Sequence, residues 1–284
     1  MKRKYLLYIA VLCFSGLVLI SCYSRHPELF FDPIDSAVQC EDQRAIIFIA
    51  TSGAWRSAVG ITSFPDGGTP KYLLQEMNLF YFIPEKDSLV RLYSFDDLVK
   101  CGGAHPSNWK QRLMIKDDKI YCSLQPIAGW ELLSKKCRYL VDSVDFATIK
   151  QKYSRVLVID IKDKKTSFVE MDFPEISKHD STYISIGELK KKLARLPVVA
   201  LGLDIKQIYP KSAKAYIDEV IYFKNRSPLY QRAVIEQFIA SKSKKEVEQL
   251  LNKMKKHESK LEGLEKMEYE IYSKDIYNML EDML

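Results

Sequence analysis

Between Ser36 and Pro174 the chain is a succession of short apolar runs separated by polar turns, and after Pro228 it contains neither proline nor cysteine. A chain divided in this way folds into strands first and helices afterwards. Three pairs of runs have hairpin spacing. Asn78 to Ile83 and Ser88 to Tyr93 flank Pro84-Glu85-Lys86-Asp87; Leu113 to Lys116 and Lys119 to Leu124 flank Asp117-Asp118; Arg155 to Ile161 and Thr166 to Asp172 flank Lys162 to Lys165. Rich in Val, Ile, Leu, Phe and Tyr and bounded by turn formers, these runs predict antiparallel pairs. Ala45 to Thr51 and Ala58 to Phe64 add two more strands, the second closed by Pro65-Asp66-Gly67-Gly68. The expected class is α+β: an antiparallel β-rich domain, a sandwich or meander, followed by C-terminal helices. A small propeller is the runner-up, because the first and third hairpins share an outline that ends in Phe95 or Phe173. Propellers repeat about every 40 residues over at least four blades, and no repeat that regular is found.

Between Pro174 and Asn225 the pattern is mixed. Ser185-Ile186-Gly187-Glu188 has the form of a capping box and predicts a helix through Leu189 to Leu196, stopped by Pro197. Lys190, Lys191 and Lys192 read as its solvated face. Tyr216 to Phe223 fits strand or helix equally well. In the tail, Val247, Leu250, Met254, His257, Leu261, Leu264 and Ile271 follow helical spacing, with Glu268 breaking the stripe. Its charges are divided: Lys242 to Lys260 holds seven lysines and three glutamates, Leu261 to Leu284 two lysines and seven acidic residues. One continuous helix in that order would oppose its own macrodipole. A break between Ser259 and Gly263 is therefore expected, giving two helices able to face each other as an antiparallel hairpin. The same polarity also suits self-association of two chains through the C-terminal helices.

The start of the chain carries an address. Lys2-Arg3-Lys4 precede an apolar run from Tyr5 to Ile20 that ends in Leu19-Ile20-Ser21-Cys22. A basic start, a short apolar segment and a small residue before the cut describe a secretory signal, and the run is shorter than the roughly 20 residues of a membrane span. The last four residues resemble the lipobox of bacterial lipoproteins. That resemblance covers only the start of the chain, and it implies a diacylglyceryl group on the Cys22 thiol, cleavage before Cys22, acylation of the new amino terminus and a bacterial envelope location. Tyr23 rather than Asp after the cysteine implies the outer membrane. The chain then divides into 1–21 as signal peptide, 22–35 as tether, 36–225 as a disulfide-braced β-rich domain and 226–284 as a helical region. Leu29, Phe30 and Phe31 are unusually apolar for a tether and are expected to dock on the domain.

Cleavage there removes three basic and no acidic residues from a chain with 43 basic and 37 acidic ones. The remaining balance is close to neutral and does not select nucleic acid as a partner. Cys40, Cys101, Cys122 and Cys137 form an even set in an exported chain, for which two disulfides are the default. Three pairings are open, and the reading leans to Cys40 with Cys101 and Cys122 with Cys137.

Two sharper readings compete with those bridges. A Cys3His zinc site from Cys101, His105, Cys122 and Cys137 lacks the close cysteine pairs of structural zinc, so no metal or other cofactor is expected. A thiol nucleophile at Cys101 with His105 would need partners that usually converge through the fold rather than within one loop. With four histidines and no His-Glu-x-x-His, Gly-x-Ser-x-Gly, phosphate loop or calcium loop, the sequence assigns no catalytic residue. Asp96-Asp97 and Asp117-Asp118 read as turn and cap residues, and Ser177-Lys178-His179-Asp180-Ser181 as a polar turn. Trp55, Trp109 and Trp130 and the 17 tyrosines leave aromatic stacking on a glycan as a positive option. The expected function is a lipid-anchored binding or scaffolding module for an envelope protein or glycan, and the alternative is an envelope hydrolase using Cys101 and His105.

Overall fold

The computed structural model describes residues 27–39, 44–56, 71–100, 109–126, 146–174, 182–225 and 227–284. Cys22, Cys40, Cys101, His105, Trp130 and Cys137, and the strand expected from Ala58 to Phe64, lie outside them. The described residues fall into two compact units, one within 30–53 and 75–202 and one within 27–29, 54–56, 71–74 and 203–284.

The strands follow the apolar runs. β1 (Glu28–Gln39), β2 (Ile46–Arg56), β3 (Lys71–Ile83) and β4 (Ser88–Ser94) join β9 (Thr182–Ile184) in a sheet of order β4-β3-β2-β1-β9. β5 (Trp109–Lys116), β6 (Lys119–Pro126), β7 (Val156–Asp160) and β8 (Thr166–Val169) form a four-stranded antiparallel meander. All three expected hairpins form. The tightest pairs Lys116 with Lys119 across a two-residue loop in which Asp117 and Asp118 take φ of 50° and 59°. Two successive positive φ values are what a strand-matched two-residue turn needs, and aspartate tolerates them better than most residues.

Both sheets contribute to one core. Ile34, Val38, Ile47, Ile49, Met77 and Leu79 from the first share a cluster with Leu113, Ile115, Ile120, Cys122, Leu124, Leu157 and Ile159 from the second. In β2 every residue from Ile46 to Ala50 is fully buried, so this central strand has an apolar side chain on both faces. Phe31, Phe48 and Phe80 meet with ring centroids 5.4–6.4 Å apart. α3 (Ile186–Leu193) starts where expected, with the Ser185 hydroxyl accepting from the Glu188 N–H, and buries Leu189 and Leu193.

β1 begins inside the segment read as a tether. Leu29 and Phe31 are buried as expected, but as members of a strand. Pro33 is tolerated because β9 pairs only with Ala37, Val38 and Gln39, leaving Pro33 no ladder partner on that side.

Helices also begin earlier than the expected boundary at residue 226. The second unit holds α4 (Ile205–Ile208), α5 (Ala213–Ile221), α6 (Pro228–Ser241), α7 (Lys244–Glu258) and α8 (Gly263–Glu281). Serine hydroxyls cap α5, α6 and α7: Ser212 accepts from Ala215 N–H, Ser227 from Tyr230 N–H, and Ser243 from Glu246 N–H in a full capping box. The ambiguous stretch from Tyr216 is thus helical. The expected break falls between α7 and α8, where Gly263 takes φ +56°. α8 turns back in the opposite sense: Tyr277 hydroxyl donates to Glu258, Lys255 pairs with Glu281 at 3.1 Å, and Lys244 donates to the Leu284 carbonyl at 2.9 Å. The apolar stripe does not continue across the break. α8 buries Tyr269, Ser273, Ile276 and Leu280 and leaves Leu264 and Ile271 exposed, because the turn at Gly263 resets which face meets the unit.

Candidate functional site

Three arrangements stand out, and the sequence pointed directly to none of them. The first is a groove of about 270 Å³ on the helical unit. α5 supplies Ala213, Lys214 and Ile217, the end of α6 supplies Phe238 and Lys242, and α7 supplies Glu246, Gln249, Leu250 and Lys253. On α7 those four positions recur at spacings of three, one and three, which is one helical face. Ile217, Phe238 and Leu250 give the groove an apolar floor, and three lysines stand on its rim. Glu246 is engaged: it pairs with Lys242 at 3.0 Å and accepts from the Ser243 backbone N–H and hydroxyl. Those bonds, the backbone one foremost, pull its pKa down to about 2. Lys214 and Lys253 form no ion pair among the described residues, so the net field in the groove is positive. The sequence signal was the lysine excess between 242 and 260; α5 and α6 only join it through the fold.

The second arrangement is polar and lies inside the helical unit. Glu219 on α5 is buried and accepts from the Lys211 ammonium and the Tyr230 hydroxyl. The Lys211 ammonium also sits 4.4 Å from the Tyr209 ring centroid, and its backbone N–H donates to the Tyr216 hydroxyl, which donates to the Tyr209 carbonyl at 2.7 Å. Burial, then the bond to Glu219, pushes the Tyr230 phenol well above its ordinary range. Beside it Asn225 donates to the Pro27 carbonyl and accepts from the Ser227 N–H, while Gln231 donates to the Asn225 carbonyl. Lysine and tyrosine compensate the carboxylate where it stands, which makes the network a clamp on the α5–α6 turn.

The third lies in the β unit. Asp97, on α1 (Asp96–Lys100), accepts from the Lys152 ammonium and the Tyr153 hydroxyl, each at 2.6 Å, both from α2 (Phe146–Tyr153). The Lys152 ammonium also faces the rings of Tyr93, Tyr153 and Phe168 at 5.7, 5.1 and 5.0 Å. Burial works against that charge, but Asp97 and Tyr93 outweigh it and raise the lysine pKa. Asp97 also accepts from the Leu98 N–H, in the first turn of α1 rather than at its cap position; what the sequence hid was the lysine and tyrosine 55 and 56 residues away.

Of the cysteines, Cys122 is described, and it is a free thiol buried on β6 within the shared core. Burial raises its pKa well above the ordinary thiol value, which keeps it protonated and a poor nucleophile or ligand. Among the described residues no group of three or more His, Cys, Asp or Glu is placed to hold a metal, and no helix is long and apolar enough to cross a membrane. Asp117 and Asp118 occupy the hairpin turn as read. Trp55 is half-buried at the end of β2. Among the described residues the exposed aromatics are instead Tyr183, Tyr222 and Tyr272, the last stacked at 5.2 Å on Phe223, whose φ of 49° is rare for an aromatic residue.

A scan against protein-family models, a search of the curated proteins and a search of solved structures each found no match.

Proposed function

We propose that this chain is a lipid-anchored binding module of a bacterial envelope, held to the membrane through Cys22 and engaging a partner protein through the groove between α5, α6 and α7. The single observation that carries the binding half is the groove's pairing of an apolar floor with a rim on which Lys214 and Lys253 form no ion pair among the described residues. Such a surface suits an amphipathic helix with acidic flanks, because the floor takes aliphatic side chains while the rim steers and orients carboxylates. The address rests on the Leu19-Ile20-Ser21-Cys22 resemblance, and two or more acyl chains would hold the chain stably without help from its folded part.

The test of the groove is a titration of the full chain, in mild detergent, with a synthetic amphipathic helix bearing glutamates beside a Leu/Met/Ile face, and with the same peptide bearing lysines. Saturable binding of the acidic peptide alone is expected, weakened about tenfold or more by Lys214→Glu/Lys253→Glu. Equal binding of both peptides, or indifference to the double substitution, would remove the groove as the binding site.

A glycan is the second reading, favoured by the exposed Tyr222 and Tyr272 beside Phe223. Aromatic faces of this kind stack on sugar rings. Quenching of tyrosine fluorescence by envelope oligosaccharides, abolished by Tyr272→Ala, is its expected signature.

A further inference from the structure

We infer that the helix seated in this groove is the first half of α8 from a second copy of the same chain, an inference that rests on the groove being a binding site. α8 buries one face at home and leaves another bare: Leu264, Met267 and Ile271 are 75%, 61% and 68% exposed. These three positions lie within about 60° of one another around a helix of 3.6 residues per turn, forming a narrow apolar strip. Glu265 stands on one side of the strip and Glu270 on the other, and Glu262 and Glu268 add to the same acidic field. Strip and groove are opposite in charge and alike in polarity pattern.

Their lengths agree as well. Leu264 and Ile271 are seven helical steps apart, and the α7 wall of the groove, from Glu246 to Lys253, is also seven, each about 10 Å at 1.5 Å per step. Within one chain the strip stays exposed, so its own groove does not cover it. The chain already uses the same acid-to-base logic between α7 and α8, where Lys255 meets Glu281.

Every copy carries one groove and one strip. Two copies that each place α8 in the other's groove close as a two-fold pair, whereas a one-way contact builds a ring where its rotation closes and a string where it does not.

The experiment is a charge exchange in the full chain, carried on two differently tagged copies in mild detergent. One variant reverses the groove, Lys214→Glu/Lys253→Glu, and the other reverses the strip, Glu265→Lys/Glu270→Lys. Wild-type copies are expected to co-purify and to gain mass with concentration in sedimentation. Each variant alone is expected to associate about tenfold more weakly or not at all, and the two mixed to associate again, since each then offers what the other lacks. Restoration on mixing also shows that both variants fold. A wild-type chain that stays monomeric at every concentration overturns the inference; if the acidic peptide still binds, the groove keeps its role with a different partner. Association lost in the strip variant but kept in the groove variant points to α8 against α8 and overturns it too. Two weak variants that do not rescue each other do the same.

Discussion

Glu219 shows how one residue sets the stability of its surroundings. Its carboxylate is almost fully buried, and the Lys211 ammonium and Tyr230 hydroxyl supply what water would have given it. Removing the lysine strands a buried charge, which costs far more than the pair contributes. Lys211→Met is therefore expected to lower unfolding free energy by about 3–5 kcal/mol in urea titrations, whereas Lys211→Met/Glu219→Leu recovers most of that loss. Equal damage in the single and double variants would show that the carboxylate is not the cause. Cys122 makes a contrasting case. Its thiol is buried, unbridged and held protonated by desolvation, so native protein should leave it unmodified by iodoacetamide over hours, and urea-unfolded protein should react without prior reduction. Labelling of Cys122 that appears only after a reductant is added would mean that the sulfur is bridged. Neither environment is legible in the sequence: nothing near Glu219 announces that Tyr230 and Lys211 will converge on it, and even cysteine counts in an exported chain favour bridges.

At the level of elements, local chemistry was legible and longer-range pairing was not. Hairpins and caps are decided within a few residues, so Asp117-Asp118 and Ser185 to Glu188 behave as their patterns require. β1 is hidden in the sequence because Pro33 argues against a strand unless its edge is unpaired, a fact that depends on the length of β9. The helical stripe runs on past Gly263 in the sequence because periodicity carries no information about a change of direction. Two expectations follow for α7 and α8. Glu246, with a pKa near 2 against an ordinary 4.5, favours the folded capping box above its unfolded pKa and loses that contribution as pH falls from about 4.5 towards 2. An NMR titration should place its carboxyl near 2 and, in Ser243→Ala, closer to 4.5; an unchanged value would acquit the hydroxyl. On α8, Ser273 buries a hydroxyl that finds no hydrogen-bond partner among the described residues. Ser273→Ala removes that cost and favours helix, so thermal unfolding should rise by about 2–4 °C.

On the scale of the whole molecule, the chain passes between its two units four times, after Leu29, Gly53, Leu74 and Gly202. The expected division at 36 and 226 followed composition, whereas compactness is set by contacts between segments distant in sequence. Pro27 and Leu29, at the amino-terminal end of the described chain, are held by Asn225 and Ser227 from the far side of the sequence. That has a mechanical consequence for the proposed anchor. Only Cys22 to His26 would separate a lipid on Cys22 from backbone fixed by Asn225, a reach of at most about 3.3–3.6 Å per residue. The folded part would thus be held close to the bilayer, a setting in which weak contacts between neighbouring copies act at raised effective concentration. Cys22→Ser tests this at one stroke. The substituted chain should lose its lipid mass and move from the membrane fraction to the soluble one. At equal total amounts, crosslinking between α8 and the groove should fall with it if the membrane concentrates the copies. A variant that keeps its membrane fractionation would refute the anchor, and one that leaves the membrane with crosslinking unchanged would show that association owes nothing to it.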